Sequence, residues 1–102
     1  METSAYEKES FSAVLRRDQG RCVVCGVSKC DVHEIVPRSA LPGKNNAATL
    51  FSLENRCCVC RRCHDEVHTV WGRVMLLGIM RLKFGYRYNN TIFAKYFEVR
   101  AL

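Results

Sequence analysis

The hydrophobic pattern at the start of the chain predicts an amphipathic helix over residues 4–18. Apolar residues recur there at helical spacing, so one face can carry four of them: Tyr6, Phe11, Val14 and Leu15. The order Ser4-x-x-Glu7 is that of a capping box, which marks a helix N-terminus. We expect the apolar face to pack on the core. A basic cluster follows, and at least one of its members is expected to contact phosphate: Arg16, Arg17 and Arg21.

The middle of the chain changes to a strand pattern. Apolar alternation predicts a strand over residues 32–37, with His33 and Ile35 on one face. Residues 38–50 have the composition of a loop that is long for a hairpin connection. The second strand is predicted over residues 53–59, where the chain returns to pair with the first.

Residues 62–82 return to helical spacing. Their apolar stripe is expected in the core: Val67, Val70, Trp71, Val74, Leu77 and Met80. Gly72 and Gly78 weaken the helix and suggest a bend. The end of the chain, residues 84–102, is rich in aromatic and basic residues. It is compatible with a helix that packs on the core or with an extension that faces DNA.

Length and composition limit the class of protein. A chain of 102 residues, 48% hydrophobic and 25% charged, is typical of one small globular domain over residues 1–102. No apolar stretch is long enough for a membrane span, and the first residues lack the basic start and apolar core of a signal peptide. We therefore expect an intracellular, cytoplasmic protein that does not bind membranes. The formal charge of +6 suits a polyanionic partner.

Cysteine spacing supplies the first chemistry. Cys22 and Cys25 form one C-x2-C pair, and Cys60 and Cys63 form another. In a reducing compartment such pairs favour a metal over a disulfide, and four thiolates are typical of a closed structural Zn²⁺ site. Cys57 also precedes Cys60 by three residues, so it is an alternative ligand. The cysteines left over are expected to be small buried apolar residues: Cys30, Cys57 and Cys58.

The chain has three histidines, and all of them stand in motifs of this central region. His64 and His68 directly follow the second cysteine pair. Four residues apart on a helix, their imidazoles share a face and can reach one ion. His33 stands on the predicted first strand.

Taken in order, these motifs resemble the HNH endonucleases over about residues 20–70. The anchors that carry the resemblance are Cys22-x2-Cys25, His33-Glu34-Ile35-Val36-Pro37-Arg38-Ser39, Leu53-Glu54-Asn55 and Cys60-x2-Cys63-His64-x3-His68. In the similar nuclease domains of DNase colicins an Asn precedes the first His of the helix pair by nine residues, and Asn55 keeps that interval. The resemblance implies an α+β fold, a ββα-metal (His-Me finger) core with zinc knuckles, an N-terminal helix over about residues 4–18 and a C-terminal helical extension over about residues 71–102.

The resemblance also implies residue roles. His33, His64 and His68 match the ligands of a catalytic divalent ion, which would be Mn²⁺, Ni²⁺, Co²⁺, Zn²⁺ or Mg²⁺. Three imidazoles favour the borderline metals over magnesium, which prefers oxygen. Asn55 matches the residue that ties the strand connection together. The implied activity is cleavage or nicking of double-stranded DNA that leaves 5′-phosphate and 3′-hydroxyl ends, with basic residues expected to contact DNA: Arg38, Lys44, Arg61 and Arg62.

One position departs from the family pattern. Glu34 stands where the family has the histidine that acts as general base, and a carboxyl is ordinarily a weaker base than imidazole. Either Glu34 takes the proton, or His33 does and the metal keeps His64, His68 and a carboxylate. A second function remains open as well, namely a catalytically impaired zinc module that only binds DNA. The family includes bacterial and phage proteins in phage packaging, restriction and homing.

Overall fold

A computed structural model of the chain describes residues 3–40 and 47–88. Its helices and strands follow in the order α1 (Thr3–Asp18), β1 (Asp31–Glu34), α2 (Ala47–Leu50), β2 (Arg56–Val59), α3 (Arg61–Val67) and α4 (Val70–Phe84). Single 3₁₀ turns span Arg38–Ala40 and Leu53–Asn55. The predicted α+β class is confirmed at this level: helices pack around one two-stranded antiparallel sheet.

The hairpin is shorter than its sequence pattern suggested. The register pairs Asp31 with Val59 and Glu34 with Arg56, so the first strand stops before residue 35 and the second starts after residue 55. Beyond the pairing, the backbone of Ile35 donates to the carbonyl oxygen of Asn55 at 2.8 Å. Ile35 and Val36 are both fully buried. The predicted alternation therefore ends with the strand, because the chain turns inward there.

Helix α1 confirms the predicted helix but not its predicted face. Tyr6 is 40% exposed and Phe11 46% exposed, whereas Ser10, Val14 and Asp18 are buried. Two of these buried residues, Ser10 and Asp18, are polar because β2 places polar groups beside them. The Ser10 hydroxyl accepts from Arg56 at 3.0 Å, and the Asp18 carboxylate accepts from the backbone N–H of Cys58 at 2.8 Å. Hydrogen bonds to β2 thus orient the helix.

One arginine of the basic cluster at the end of α1 is part of the fold. The Arg17 guanidinium donates to the carbonyl oxygens of Leu53 at 2.5 Å and Arg56 at 2.6 Å. It also lies 4.5 Å from the ring centroid of Phe84. This half-buried side chain joins α1, β2 and the end of α4, while Arg16 and Arg21 remain exposed.

The predicted helix over residues 62–82 is two helices. The chain breaks at His68 and Thr69, and the Thr69 hydroxyl caps α4 by accepting from the N–H of Gly72 at 2.9 Å. The apolar stripe predicted for one continuous helix therefore does not coincide with the side of α4 that is buried. Trp71 is 77% exposed and Val74 is exposed as well, whereas the side that α4 buries carries Gly72, Arg73, Leu76 and Met80.

Gly72 of α4 lies directly against the backbone of α3. A Cβ at this position would overlap the carbonyl oxygen of Glu66 and lie 2.7 Å from the Cα of Val67, both backbone atoms. Gly78 lies on the same helix and has open space around it.

These two glycines make a matched pair for a stability measurement. We expect Gly72→Ala to lower the free energy of unfolding by about 1–3 kcal/mol, because packed backbone must move apart. Gly78→Ala should raise it by roughly 0.5–1 kcal/mol through helix propensity alone. Urea unfolding of both variants measures the difference. Equal effects of the same sign would contradict the close approach at Gly72.

Most of the buried side chains form one core between the hairpin and α3–α4, including Val23, Ile35, Cys57, Val59, Val67, Leu76 and Met80. Helix α4 ends at Gly85, whose φ of 74° is left-handed, and Tyr88 donates to the carbonyl oxygen of Glu54 at 2.7 Å. The rest of the predicted C-terminal extension, residues 89–102, lies outside the described residues. None of the helices in the described ranges has the length and apolar character needed to cross a membrane.

Candidate metal sites

The four cysteines of the two C-x2-C pairs come together in the structure. One sulfur atom from each of Cys22, Cys25, Cys60 and Cys63 lies within 4.8 Å of the others. The Sγ atoms of Cys25 and Cys60 are 3.6 Å apart. Tetrahedral zinc with bonds of about 2.3 Å places its sulfur atoms about 3.8 Å apart. The cluster can therefore hold a metal ion such as zinc, as the spacing predicted.

Both cysteine turns are built against β2. The first turn is attached where the N–H of Val23 donates to the carbonyl oxygen of Cys58 at 2.9 Å, and Gly26 closes it with a left-handed φ of 83°. The second turn begins where β2 ends. There Cys60 caps α3, and its sulfur accepts from the N–H of Cys63 at 3.5 Å. One strand thus fixes the distance between the two halves of the site.

The thiols of this cluster differ in acidity. Burial opposes ionisation of Cys22, but backbone N–H groups, chiefly that of Cys60, outweigh it and lower the Cys22 pKa to about 7. Burial and then the neighbouring thiols, Cys60 foremost, raise the pKa of Cys63. One thiolate therefore forms readily, whereas four together require a cation among them.

The remaining cysteines lie outside the cluster. Cys57 and Cys58 are fully buried, and burial raises the pKa of both thiols. Cys57 does not belong to the group of converging sulfur atoms, so it is not the alternative ligand that its spacing allowed. The half-buried Cys30 donates from its sulfur to the carbonyl oxygen of Gly20 at 3.2 Å.

The three histidines also converge. His33 comes from β1, His64 from α3, and His68 from the residue that ends α3; one ring nitrogen from each lies within 4.8 Å of the others. The His33 ring centroid is 4.9 Å from that of His64 and 5.4 Å from that of His68. The Nε2 atoms of His64 and His68 are 3.1 Å apart. Strand and helix thus present three imidazoles to one point.

His33 is the most deeply placed of the three. It is 3% exposed, and its buried Nε2 has no hydrogen-bond partner among the described residues. Burial, followed by the charges of His64, Arg73 and His68, lowers the pKa of His33 to about 3. Burial and then His64 and Arg73 lower the pKa of His68 as well. Neutral imidazoles with free lone pairs are the form that binds a divalent ion, so the residues fit one.

The structure adds a residue that the sequence pattern did not suggest. Arg73 of α4 is 8% exposed and donates to the carbonyl oxygen of Ile35 at 2.5 Å. Its other terminal nitrogen lies 3.3 Å from Nδ1 of His68. In the sequence Arg73 is one charged position beside an apolar stripe. Only the break between α3 and α4 turns it toward the histidines.

Asn55 holds the two ends of the hairpin connection together. Its side-chain oxygen accepts from the N–H of Val36 at 2.8 Å, and its amide donates to the carbonyl oxygens of Val36 at 3.2 Å and Leu50 at 3.0 Å. Asn55 is fully buried, so these bonds form away from water. They fix the residues that directly follow β1.

Glu34 stands apart from the histidine cluster. Strand alternation turns it to the opposite face of β1 from His33. There its carboxylate lies 3.6 Å from Arg38, which also pairs with Glu7 at 2.8 Å. No carboxylate of the described residues joins the three imidazoles.

The predicted DNA contacts have different surroundings. Arg61 and Arg62 are exposed and line a groove of about 770 Å³ together with Lys29. Arg38 remains half-exposed while it pairs with the two carboxylates. Lys44 lies outside the described residues.

No protein-family model, curated protein or solved structure matches this chain. Inference about function therefore depends on the geometry above and on the sequence motifs.

Proposed function

We propose that the protein is a metal-dependent DNA endonuclease of the HNH type, built on a ββα-metal core. One observation carries the proposal: β1 and α3 present three imidazoles to one point, and the buried Nε2 of His33 has no hydrogen-bond partner in the part of the chain that the structure describes. A hydrogen-bond acceptor buried without a partner is costly, so such an atom indicates a missing ligand. The neighbouring cysteine cluster explains how so small a domain holds this geometry.

His33, His64 and His68 would hold the ion. A divalent ion at such ligands supplies Lewis-acid stabilisation of the phosphate and of the leaving oxygen. In the hydrolysis, a water oxygen bonds to phosphorus as the bond to the 3′ oxygen breaks. The water gives its proton to a base, and the 3′ oxygen takes up a proton, so the products are a 5′-phosphate and a 3′-hydroxyl.

Glu34 is the residue we assign as base, a role that requires its carboxylate to leave Arg38 and turn toward the attacking water at the end of β1. The alternative, in which His33 takes the proton, needs a carboxylate to replace His33 at the metal, and none in the described residues lies in the cluster. Glu34 is the last residue of β1, directly before the segment that Asn55 holds. Asn55 would thus act as a positioning residue for the end of the strand.

The proposed substrate is double-stranded DNA. The formal charge of +6 supports a polyanionic partner. Arg61 and Arg62 are exposed and lie at the N-terminal end of α3, just before His64 in the chain. Arg38 and Lys44 are proposed to add phosphate contacts. Such contacts give affinity that depends on salt rather than sequence.

A plasmid assay tests this function. Supercoiled DNA incubated with the protein and Mn²⁺ or Ni²⁺ should be nicked or linearised, and brief chelation of the exchangeable ion should stop the reaction. DNA that is bound but not cut with any divalent ion would instead identify the zinc-containing DNA-binding module.

The role of Glu34 gives a sharper prediction. Glu34→Gln should lower the nicking rate by roughly 100-fold or more, because it keeps the size of the side chain and removes the proton acceptor. Affinity for Mn²⁺, measured by calorimetry, should not change. The matched control is Glu7→Gln, which removes the other carboxylate paired with Arg38 and should leave the rate unchanged. If Glu34→Gln weakens Mn²⁺ binding instead, His33 becomes the candidate base.

A further inference from the structure

Arg73 carries a charge in a place where the described chain does not neutralise it. The residue is only 8% exposed, yet no carboxylate of residues 3–40 or 47–88 forms an ion pair with it. Within the described ranges its side chain contacts Ile35 and His68, which uses two of its five N–H groups. Burying a charge without an opposite charge is costly. The arrangement is explained if a ligand supplies the anion.

The contact with His68 is incompatible with a metal ion on that histidine. A guanidinium only donates hydrogen bonds, so Nδ1 of His68 must accept, and the proton of the neutral ring is on Nε2. That proton faces Nε2 of His64 at 3.1 Å. If His68 binds an ion through Nε2, its proton moves to Nδ1 and the bond from Arg73 is lost. If it binds through Nδ1, the ion replaces Arg73 directly.

In both cases, an ion at the imidazoles leaves the terminal nitrogen of Arg73 that faced His68 without a hydrogen-bond acceptor there. The site would then hold a divalent cation, neutral imidazoles and a guanidinium, and among the described residues the acceptor left to the Arg73 side chain is the carbonyl oxygen of Ile35. A guanidinium pairs best with phosphate or carboxylate oxygens. The deficit of negative charge is thus largest when the ion is bound.

We infer that Arg73 is the anion-binding residue of the histidine site and exchanges its contact with His68 for a non-bridging oxygen of the substrate phosphate when the ion binds. This inference rests on the proposed function and names the group that holds the scissile phosphate. Placed there, Arg73 stabilises the charge that develops on phosphorus oxygens during hydrolysis.

The first test uses the metal-free protein. Nitrogen-15 NMR of the histidine rings should show His68 with its proton on Nε2, and Arg73→Met should release it to a mixture of tautomers. A proton on Nδ1 of His68 in the metal-free parent would overturn the exchange.

The second test measures two affinities by calorimetry, for Mn²⁺ and then, at saturating Mn²⁺, for thymidine 5′-phosphate. Arg73→Met should bind Mn²⁺ at least as tightly as the parent, because a competing donor and a repelling charge are gone. Its affinity for the nucleotide should fall roughly 10- to 100-fold, as expected when a hydrogen bond to a charged group is lost. An arginine that merely orients His68 would give the opposite pattern, with weaker Mn²⁺ binding and unchanged nucleotide affinity.

Four further variants control this measurement. Arg81→Met removes an exposed arginine from the same helix and should change neither affinity. Arg73→Lys keeps the charge and should retain part of the nucleotide affinity, so the inference stays testable if Arg73→Met folds poorly. Glu2→Gln and Glu98→Gln remove the two acidic side chains that lie outside the described residues; a rise in nucleotide affinity in either variant would identify an internal counter-ion and overturn the inference.

The outcomes separate this inference from the proposed function. Failure of the parent to bind Mn²⁺ at the histidines would end both. Mn²⁺ binding with equal nucleotide affinities in parent and Arg73→Met would end only the role of Arg73. A parent that shows the expected affinities but never cuts DNA would keep Arg73 as an anion-binding residue in a protein without nuclease activity.

Discussion

Cys60→Ser should leave the protein unfolded or molten at ambient temperature. Cys60 contributes a ligand to the cysteine cluster, caps α3 through its sulfur and continues directly from β2. A structural zinc ion can contribute on the order of 10 kcal/mol to folding, which rivals the whole net stability of a small domain. Loss of one of four thiolates therefore removes most of what holds the two cysteine turns together. Near-ultraviolet circular dichroism and zinc content by mass spectrometry measure the result.

Cys30→Ser is the matched control for this prediction. Cys30 lies near the same turns but outside the cluster, and a serine hydroxyl can still donate to the carbonyl oxygen of Gly20. Its melting temperature and zinc content should stay close to those of the parent. If Cys60→Ser retains one equivalent of zinc and melts like the parent, the four-cysteine assignment is wrong.

His68→Ala should abolish cleavage while the protein stays folded and binds DNA. The side chain is exposed, so its removal opens no cavity, yet it takes away one of three imidazoles that converge on one point. Weaker Mn²⁺ binding should accompany a loss of nicking of at least roughly 1,000-fold, since the proposed ion supplies most of the charge stabilisation. Duplex affinity should remain within a few-fold of the parent, because basic side chains provide most of it.

Glu66→Ala is the control on the same helix, since this exposed carboxylate lies outside the histidine cluster. Nicking of supercoiled plasmid, fluorescence anisotropy with a labelled duplex and Mn²⁺ calorimetry give the three readings for each variant. Cleavage by His68→Ala at the rate of the parent would show that the histidine cluster is not the reaction centre.

The residues that converge in each cluster could be predicted because local spacing largely determines them. A C-x2-C turn directs two sulfur atoms to one point, and imidazoles four residues apart share a helix face, whatever the rest of the fold does. Formation of the hairpin is then enough to bring Cys22 close to the second cysteine pair and His33 close to His64 and His68. Even the choice between Cys57 and Cys60 depended on the fold, since β2 turns Cys57 into the core.

The residues that sequence reasoning missed depend on contacts between distant segments. Arg17 and Arg73 look like surface charges in the sequence, but each donates to backbone carbonyl oxygens of another element. The face of α1 was mispredicted because buried polar partners on β2 outweigh the apolar periodicity. Thr69 is a typical capping residue, so the sequence carries a local signal for the break. The need for a glycine at position 72 is visible only in the fold, where the backbone of α3 lies against it.

Helix α3 and the residues at its two ends contribute side chains to both clusters. Within one short segment, Cys60 and Cys63 face the sulfur cluster, while His64 and His68 face the imidazole cluster. An ion bound at the thiolates would therefore preorganise two of the three imidazoles before any second ion arrives. By thermodynamic reciprocity, a second ion at the imidazoles would then tighten the hold on the first ion by the same factor. Under the proposed function the two sites would be heterotropically cooperative, so an ion at the thiolates would lower the concentration of the second ion needed to load the histidine site.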